Sequence, residues 1–228
     1  MPKTEAFDRF SSEYDDWFDR NADLYRAELE TIRQLMPSSG SELVEIGVGS
    51  GKFAVPLGIR MGVEPSEQMA ARAEKHGITV YRGVAEMLPF EDGRFDGVLM
   101  VTTICFVDDI LQSFRESLRV LKEGGFLLVG FVDRESDLGR TYSANRQKSR
   151  FYRQAVFYTA SEVLRLLQDA GFTIAAVRQS LISGKPPETI LDGFGRGAFV
   201  AIKGIKKTDQ VDDAQASRSA VKPANPAP

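Results

Sequence analysis

The chain has few of the side chains that build covalent or metal-linked frameworks. Its 228 residues include one cysteine, Cys105, and one histidine, His76. A lone cysteine excludes an intrachain disulfide, and this pair cannot supply the four ligands of a structural zinc site. The sequence therefore predicts no metal site and a fold that depends on a sizeable apolar core.

A strong charge of either sign and long apolar runs are also missing. The formal charge is −3, with 27% charged residues, which provides no whole-chain field for nucleic acid or an anionic membrane. The longest apolar run, 126–132, is much shorter than the roughly 20 residues that span a bilayer. The charged start is unlike a signal peptide. We expect a cytoplasmic monomer or homodimer that binds neither nucleic acid nor membrane.

Apolar segments of strand length alternate with amphipathic segments of helix length. Strands are predicted at 43–46, 59–63, 78–82, 95–101, 126–132, 172–177 and 198–202. Two helices are predicted within 4–36, and another from about 51 to Gly58. Further helices are predicted to begin after the N-caps Ser66, Asp108 and Thr159. The glycine pair at 124–125 is expected to end the helix that Asp108 begins. This alternation is typical of a doubly wound α/β fold. We expect a mostly parallel, seven-stranded Rossmann-like sheet with helices on both faces.

Three segments stand outside this alternation. Residues 1–36 form a predicted N-terminal helical cap on a core of 37–205. Residues 133–158 are rich in arginine and aromatic side chains, and we interpret them as a substrate lid, although a solvated helical face would also explain the charges. Residues 206–228 contain almost no large apolar side chain and are predicted to be disordered.

A glycine-rich turn follows the first predicted strand, where residues 45–51 read EIGVGSG. Glycine lets the backbone approach a ligand closely, and ligands of open α/β sheets bind beyond the carboxyl ends of the strands. The third glycine comes one residue earlier than in the dinucleotide motif G-x-G-x-x-G. Glu45 would repel a pyrophosphate but suits an ammonium group, and Glu64 ends the second strand where ribose hydroxyls are usually held. The pattern favours an adenosine ligand with an amino-bearing tail, although a tight turn that binds nothing stays possible.

Several segments, in the correct order, resemble the motifs of class I S-adenosylmethionine-dependent methyltransferases. They are 44–51 (VEIGVGSG), 62–66 (GVEPS), 83–90 (GVAEMLPF), 95–100 (FDGVLM), 124–128 (GGFLL) and 169–172 (DAGF). The similarity covers roughly residues 5–204 and is greatest to the small, single-domain, UbiE-like subgroup, also called methyltransferase type 11. The resemblance implies S-adenosylmethionine as the cofactor, S-adenosylhomocysteine as its product, and in-line methyl transfer to a small-molecule acceptor.

The resemblance also implies which residues contact the cofactor. The methionine part would lie against Gly47, Gly49 and Gly51, with Glu45 near its amino group. Glu64 would accept hydrogen bonds from both ribose hydroxyls. The adenine would lie among Ser66, Met69, Ala85 and Glu86, and Val101 and Thr102 would face the sulfonium. Val84 stands where many members of the family carry an aspartate.

Candidate residues for the chemistry and the acceptor are less closely tied to the motifs. Asp133, after the fifth strand, is a candidate general base, and Tyr14 is a candidate catalytic residue because its segment resembles the one that folds over the cofactor. Residues predicted to contact the acceptor are Trp17, Cys105, Arg134 and Tyr142. Two alternatives remain open: a nicotinamide-dependent oxidoreductase on the same fold, and a non-catalytic module that binds S-adenosylmethionine.

Overall fold

One sheet of eight strands runs through the part of the chain described by the computed structural model, residues 3–37 and 40–208. The strands are β1 (Leu43–Ile46), β2 (Met61–Val63), β3 (Thr79–Tyr81), β4 (Phe95–Val101), β5 (Leu121–Val132), β6 (Phe172–Ile182), β7 (Leu191–Asp192) and β8 (Gly197–Lys206). Their order is β3-β2-β1-β4-β5-β8-β6-β7. The strands from β1 to β5 pair in parallel, and β8 is antiparallel to β5 and β6. The predicted doubly wound, mostly parallel fold is confirmed, with one strand more than expected.

Helices cover both faces of this sheet. They are α1 (Glu5–Arg9), α2 (Ser11–Arg20), α3 (Ala22–Arg33), α4 (Glu67–Lys75), α5 (Ile110–Val120), α6 (Asp137–Asn145) and α7 (Ala160–Asp169). The Ser66 side chain caps α4 by accepting the N–H of Met69, and Thr159 and Glu162 form a reciprocal capping box at α7. Both caps satisfy N–H groups that a helix start leaves unpaired. No helix among the described residues is long and apolar enough to cross a membrane.

Strand β4 shows why the sheet needs two helical layers. Val98 and Met100 contribute to the apolar cluster that contains residues of α5 and α7, whereas Leu99 and Val101 contribute to the cluster that contains residues of α2, α3 and α4. Alternate residues of a strand point to opposite faces, so a continuous apolar strand is buried on both sides.

Two predicted helical regions differ in the structure. The cap contains three helices because the chain leaves helical geometry at Phe10 and again at Asn21. The helix expected after the glycine turn is absent, since residues 51–58 form consecutive turns. Pro56 has no N–H to give to the carbonyl of Lys52, which instead accepts the hydroxyl of Tyr25.

Several predicted boundaries also shift. Helix α5 is capped by Asp109 and ends at Val120, so the glycines at 124 and 125 lie inside β5. Strands β6 and β8 are longer than predicted because they pair with each other from Phe172–Lys206 to Ile182–Gly197. The predicted disordered tail therefore starts inside a strand, and its residues 209–228 lie outside the described residues. The excursion at 133–158 contains α6 and two short 3-10 turns.

Candidate active site

A cleft of about 380 Å³ opens at the carboxyl ends of β1, β2 and β4. Strand order reverses between β1 and β4, and ligands of open α/β sheets bind at such a reversal. The volume is in the usual range for small-molecule sites. Predicted site residues that line the cleft are Tyr14, Glu45, Gly47, Gly49, Glu64, Met69, Ala85, Glu86, Val101 and Thr102.

The glycine turn forms the floor of this cleft. Gly47 and Gly49 have φ angles of +69° and +56°, which side chains rarely tolerate. A Cβ on Gly47 would lie 2.4 Å from Cγ2 of Thr103, so only glycine fits. Gly51, which was expected to contact the cofactor, does not line the cleft. A Cβ added to Gly51 would lie 2.6 Å from Cδ1 of Ile78. Its role is close packing of the turn against the core.

Glu64 links the glycine turn to the start of α4. Its Oε2 accepts the N–H of Gly49 at 2.9 Å, and its Oε1 accepts the N–H of Ser66 at 2.9 Å. These bonds fix the carboxylate at the wall of the cleft and leave each oxygen one further lone pair. Burial raises the pKa of Glu64 to about 7, although both N–H groups oppose the shift.

Glu45 lies at the cleft with an unsatisfied oxygen. It is 1% exposed, and its Oε2 has no hydrogen-bond partner among the described residues. Burial raises the pKa of this carboxyl well above its ordinary value, while a hydrogen bond from the backbone of Ala54 lowers it. A buried carboxylate is costly without a cationic or hydrogen-bonding partner, so this oxygen fits the ammonium group of an amino acid ligand.

The N-terminal helices cover the cleft through part-buried polar contacts. Oδ1 of Asp8 accepts the Ser66 hydroxyl at 2.6 Å, and Asp15 contacts Ser50 at 2.5 Å and Arg72 at 2.9 Å. Ser66 therefore lies under α1 and does not line the cleft, in contrast to its predicted place beside the adenine. Asp8 and Asp15 were missed because acids on an amphipathic helix are typical of a solvated face.

Comparison with known proteins agrees with this geometry. A family model described as a methyltransferase domain, type 11, matches residues 44–129. A solved S-adenosylmethionine-dependent methyltransferase of Thermotoga maritima, described as a possible histamine N-methyltransferase, is 48% identical with a TM-score of 0.85 and covers 90% of this chain and 100% of its own. The chain belongs to the S-adenosylmethionine-dependent methyltransferases.

The relatives at lower identity include a UbiE-like enzyme. The uncharacterized protein MJ1123 of Methanocaldococcus jannaschii is 40% identical over 88% of this chain and 98% of its own. A demethylmenaquinone methyltransferase of Staphylococcus saprophyticus is 25% identical over 64% of this chain and 76% of its own. The cofactor of the family is S-adenosylmethionine, and the buried acids Glu45 and Glu64 fit its ammonium and ribose groups.

Tyr14 and Thr102 form the inner end of the methyltransferase cleft. The Thr102 side chain lowers the pKa of Tyr14, but burial has the larger effect and raises that pKa, so the hydroxyl stays protonated at neutral pH. Thr102 has a φ of +53°, a strained conformation of the kind that often marks functional sites. Its N–H donates to the carbonyl of Gly130 at 2.7 Å, which ties the end of β4 to β5.

A small aromatic chamber adjoins the cleft, and Thr102 lines both. The chamber holds about 30 Å³ and is lined by Ile104, Cys105, Phe131, Val132, Tyr142, Tyr152, Phe157 and Tyr158 in addition to Thr102. Burial raises the pKa of Cys105 to about 12, so the thiol is not a nucleophile at neutral pH. Tyr152 was missed as a site residue, although it belongs to the excursion predicted as a lid.

Three predicted residues lie elsewhere. The Arg134 guanidinium donates to the carbonyl of Phe157 at 3.0 Å and to Glu162 at 2.9 Å, and thereby holds the excursion against α7. Asp133 accepts the N–H of Glu135 at 3.0 Å and lies outside both the cleft and the chamber. Trp17 lies outside both spaces as well and packs edge-on against Phe18, with ring centroids 5.2 Å apart.

Proposed function

We propose that this methyltransferase transfers the methyl group to a small-molecule acceptor whose reacting atom lies beside Thr102, where the cleft meets the aromatic chamber. The observation that carries the proposal is the position of Thr102, which lines both the cofactor-sized cleft and the chamber. The chamber, of about 30 Å³, has about the volume of one water molecule, so only a small group of the acceptor would enter it and the rest would lie in the cleft. A folded macromolecule could not enter such a space.

We infer that the cofactor is held by the two acids and the glycine turn. Glu64 would accept both ribose hydroxyls, because its oxygens keep free lone pairs after bonding Gly49 and Ser66. Glu45 would hold the ammonium group with its unpartnered oxygen. Met69 and Ala85 would contact the adenine from opposite sides. Glu86 lines the cleft but already accepts the N–H groups of residues 108 and 109.

The protein's part in the reaction would be positioning and exclusion of water. Bound S-adenosylmethionine supplies an activated methyl group. Tyr14 would present its aromatic ring to the sulfonium, an attraction expected between a cation and a π face. The helical cap of residues 3–36 and the lid of 133–158 would exclude water from the acceptor, which favours a reaction that disperses positive charge.

Calorimetric titration tests the cofactor site. We expect S-adenosylmethionine to bind the wild-type protein and NADH not to bind. Glu64→Gln should weaken the binding of S-adenosylmethionine roughly tenfold, about 1.4 kcal/mol, because a charged acceptor of two hydrogen bonds is lost. Glu67→Gln is the matched control, because Glu67 is exposed and pairs with Arg82 on the outside of α4.

The results separate the alternatives. Binding of NADH without binding of S-adenosylmethionine would support an oxidoreductase. Equal affinities of the wild type and Glu64→Gln would remove Glu64 from the site. Binding without transfer of a labelled methyl group to any of a panel of amines, thiols, phenols and carboxylates would support a non-catalytic module.

A further inference from the structure

One cation at the cofactor cleft has only weak contacts of its own. Lys3 and Lys52 are the positively charged residues that line the cleft within the described part of the chain. The Lys3 ammonium group is occupied, because it donates to the carbonyl of Val107 at 3.0 Å and pairs with Asp108 at 3.1 Å. The Nζ of Lys52 donates no hydrogen bond to any described residue. Its donors are therefore available to a ligand.

Two contacts hold the Lys52 ammonium group at the wall of the cleft. Its Nζ lies 3.9 Å from Oδ1 of Asp19, whose side chain is 80% exposed, and such ion pairs contribute little to stability. The same nitrogen lies 5.6 Å from the centre of the Phe18 ring, and Phe18 also lines the cleft. A cation is attracted to an aromatic face, while its N–H groups stay free to donate. The ammonium group is thus positioned but not satisfied.

Lys52 lies at the same end of the cleft as Glu45. Glu45 precedes the glycine turn and Lys52 follows it directly. The N–H of Gly51 donates to the carbonyl of Val48 at 2.9 Å, so the turn doubles back on itself and both charged side chains line one cleft. The backbone of Ala54, in the segment that Lys52 begins, lowers the pKa of the Glu45 carboxyl through a hydrogen bond. An acid and a cation therefore flank the turn.

An acid and a cation at one end of a small-molecule cleft fit the two charges of an amino acid. Glu45 has an unpartnered oxygen, which the proposed function assigns to the ammonium group of the cofactor. The carboxylate of an α-amino acid is bonded to the same carbon atom as this ammonium group, so it must lie close by. A carboxylate enclosed by protein needs a cation or N–H donors. Lys52 is the cation that lines this end of the cleft.

We propose that Lys52 pairs with the α-carboxylate of S-adenosylmethionine and makes this carboxylate a requirement for tight binding. The proposal rests on the proposed function and names a residue that determines which cofactor is accepted. A cofactor without the carboxylate would lose the ion pair. It would also bring an uncompensated ammonium group close to Lys52, and like charges at short range repel each other. Attraction to one ligand and repulsion of the other together give the discrimination.

A structural role for the same side chain would have a different consequence. In that role, the ammonium group would hold α2 to the glycine turn through Asp19, and loss of its charge would weaken every ligand of the cleft alike. The backbone of Lys52 already ties this segment to α3, because its carbonyl accepts the hydroxyl of Tyr25, and no variant of the side chain removes that contact. Only pairing with the cofactor makes the loss depend on the carboxylate of the ligand.

Calorimetry with two sulfonium ligands tests the assignment on the full chain. They are S-adenosylmethionine and decarboxylated S-adenosylmethionine, which differ only in the carboxylate. We expect the wild type to bind the first roughly tenfold more tightly than the second. Lys52→Met keeps the length of the side chain but removes its charge. It should weaken the binding of S-adenosylmethionine roughly tenfold, about 1.4 kcal/mol, and should not weaken the binding of the decarboxylated ligand. Lys52→Arg should retain the preference.

Two variants serve as controls. Lys75→Met removes a cation that is exposed on α4 and does not line the cleft. Asp19→Asn removes the acid that pairs with Lys52. Neither should change the preference for the ligand that has the carboxylate. Melting temperatures show whether each variant is folded, and if Lys52→Met does not fold, the preference of the wild type and of Lys52→Arg decides.

The failure of the assignment differs from the failure of the proposed function. If the wild type binds neither ligand, the proposed function fails. If it binds both ligands equally well, or if Lys52→Arg loses the preference, the carboxylate is not recognised by Lys52 and the assignment is overturned. If Lys52→Met weakens both ligands by the same factor, or if Asp19→Asn has the same effect as Lys52→Met, Lys52 is a structural residue.

Discussion

The pKa of Glu64 leads to a quantitative prediction for cofactor binding. Burial raises this pKa from an ordinary value of 4.5 to about 7, and the ionised form is the better acceptor for two ribose hydroxyls. The ionised fraction rises from about 0.09 at pH 6 to about 0.91 at pH 8. The contribution of Glu64 to affinity should therefore grow roughly tenfold over this range, about 1.4 kcal/mol.

The measurement is the dissociation constant of S-adenosylmethionine at pH 6, 7 and 8, for the wild type and for Glu64→Gln. Other groups also titrate in this range, including those of the cofactor. The ratio of the two constants cancels their effects, because both proteins share them. We expect this ratio, variant over wild type, to rise about tenfold from pH 6 to pH 8. A ratio that stays constant, or falls, would refute the link between the charge of Glu64 and ribose binding.

Three further results are expected. Gly47→Ala should lower the melting temperature and abolish cofactor binding, since the added methyl group would clash with Thr103. The control Gly58→Ala has a positive φ but open space around it, so it should lower the free energy of unfolding by only about 1–2 kcal/mol. Asp8→Ala removes the acceptor of the Ser66 hydroxyl, so limited proteolysis within residues 3–20, monitored by mass spectrometry, should become faster. Adding S-adenosylmethionine should slow this cleavage again. Burial raises the pKa of Glu28 in the folded state to about 8, from an ordinary 4.5. Its contribution to the free energy of unfolding is therefore fully present below pH 4.5 and is lost as the pH rises through 8. In denaturant unfolding, this free energy should fall less between pH 5 and 9 for Glu28→Gln than for the wild type. The prediction for Asp8→Ala would be contradicted by rapid cleavage that S-adenosylmethionine does not slow. The prediction for Glu28→Gln would be contradicted by a free energy of unfolding that changes with pH as in the wild type.

Where motifs are local, sequence reasoning located the cleft accurately. The glycine spacing at 47–51 and the acid that ends β2 are properties of single loops, and the structure brings them together as expected. Gly51 lies outside the lining of the cleft, because glycine spacing cannot tell which side of a turn faces the cleft. Asp133 shows the same limit, since its side chain accepts the N–H of Glu135 outside the cleft.

The sequence by itself determined the fold class, the family and the position of the cleft, because strand–helix alternation and the glycine turn depend on residues that are near neighbours in the chain. Tertiary structure decided which distant side chains meet there. The chamber joins Thr102 to Tyr142 and Tyr152, and the cap joins Asp8 to Ser66. Burial and electrostatic coupling depend on packing between segments that are far apart in the chain, which no local pattern encodes.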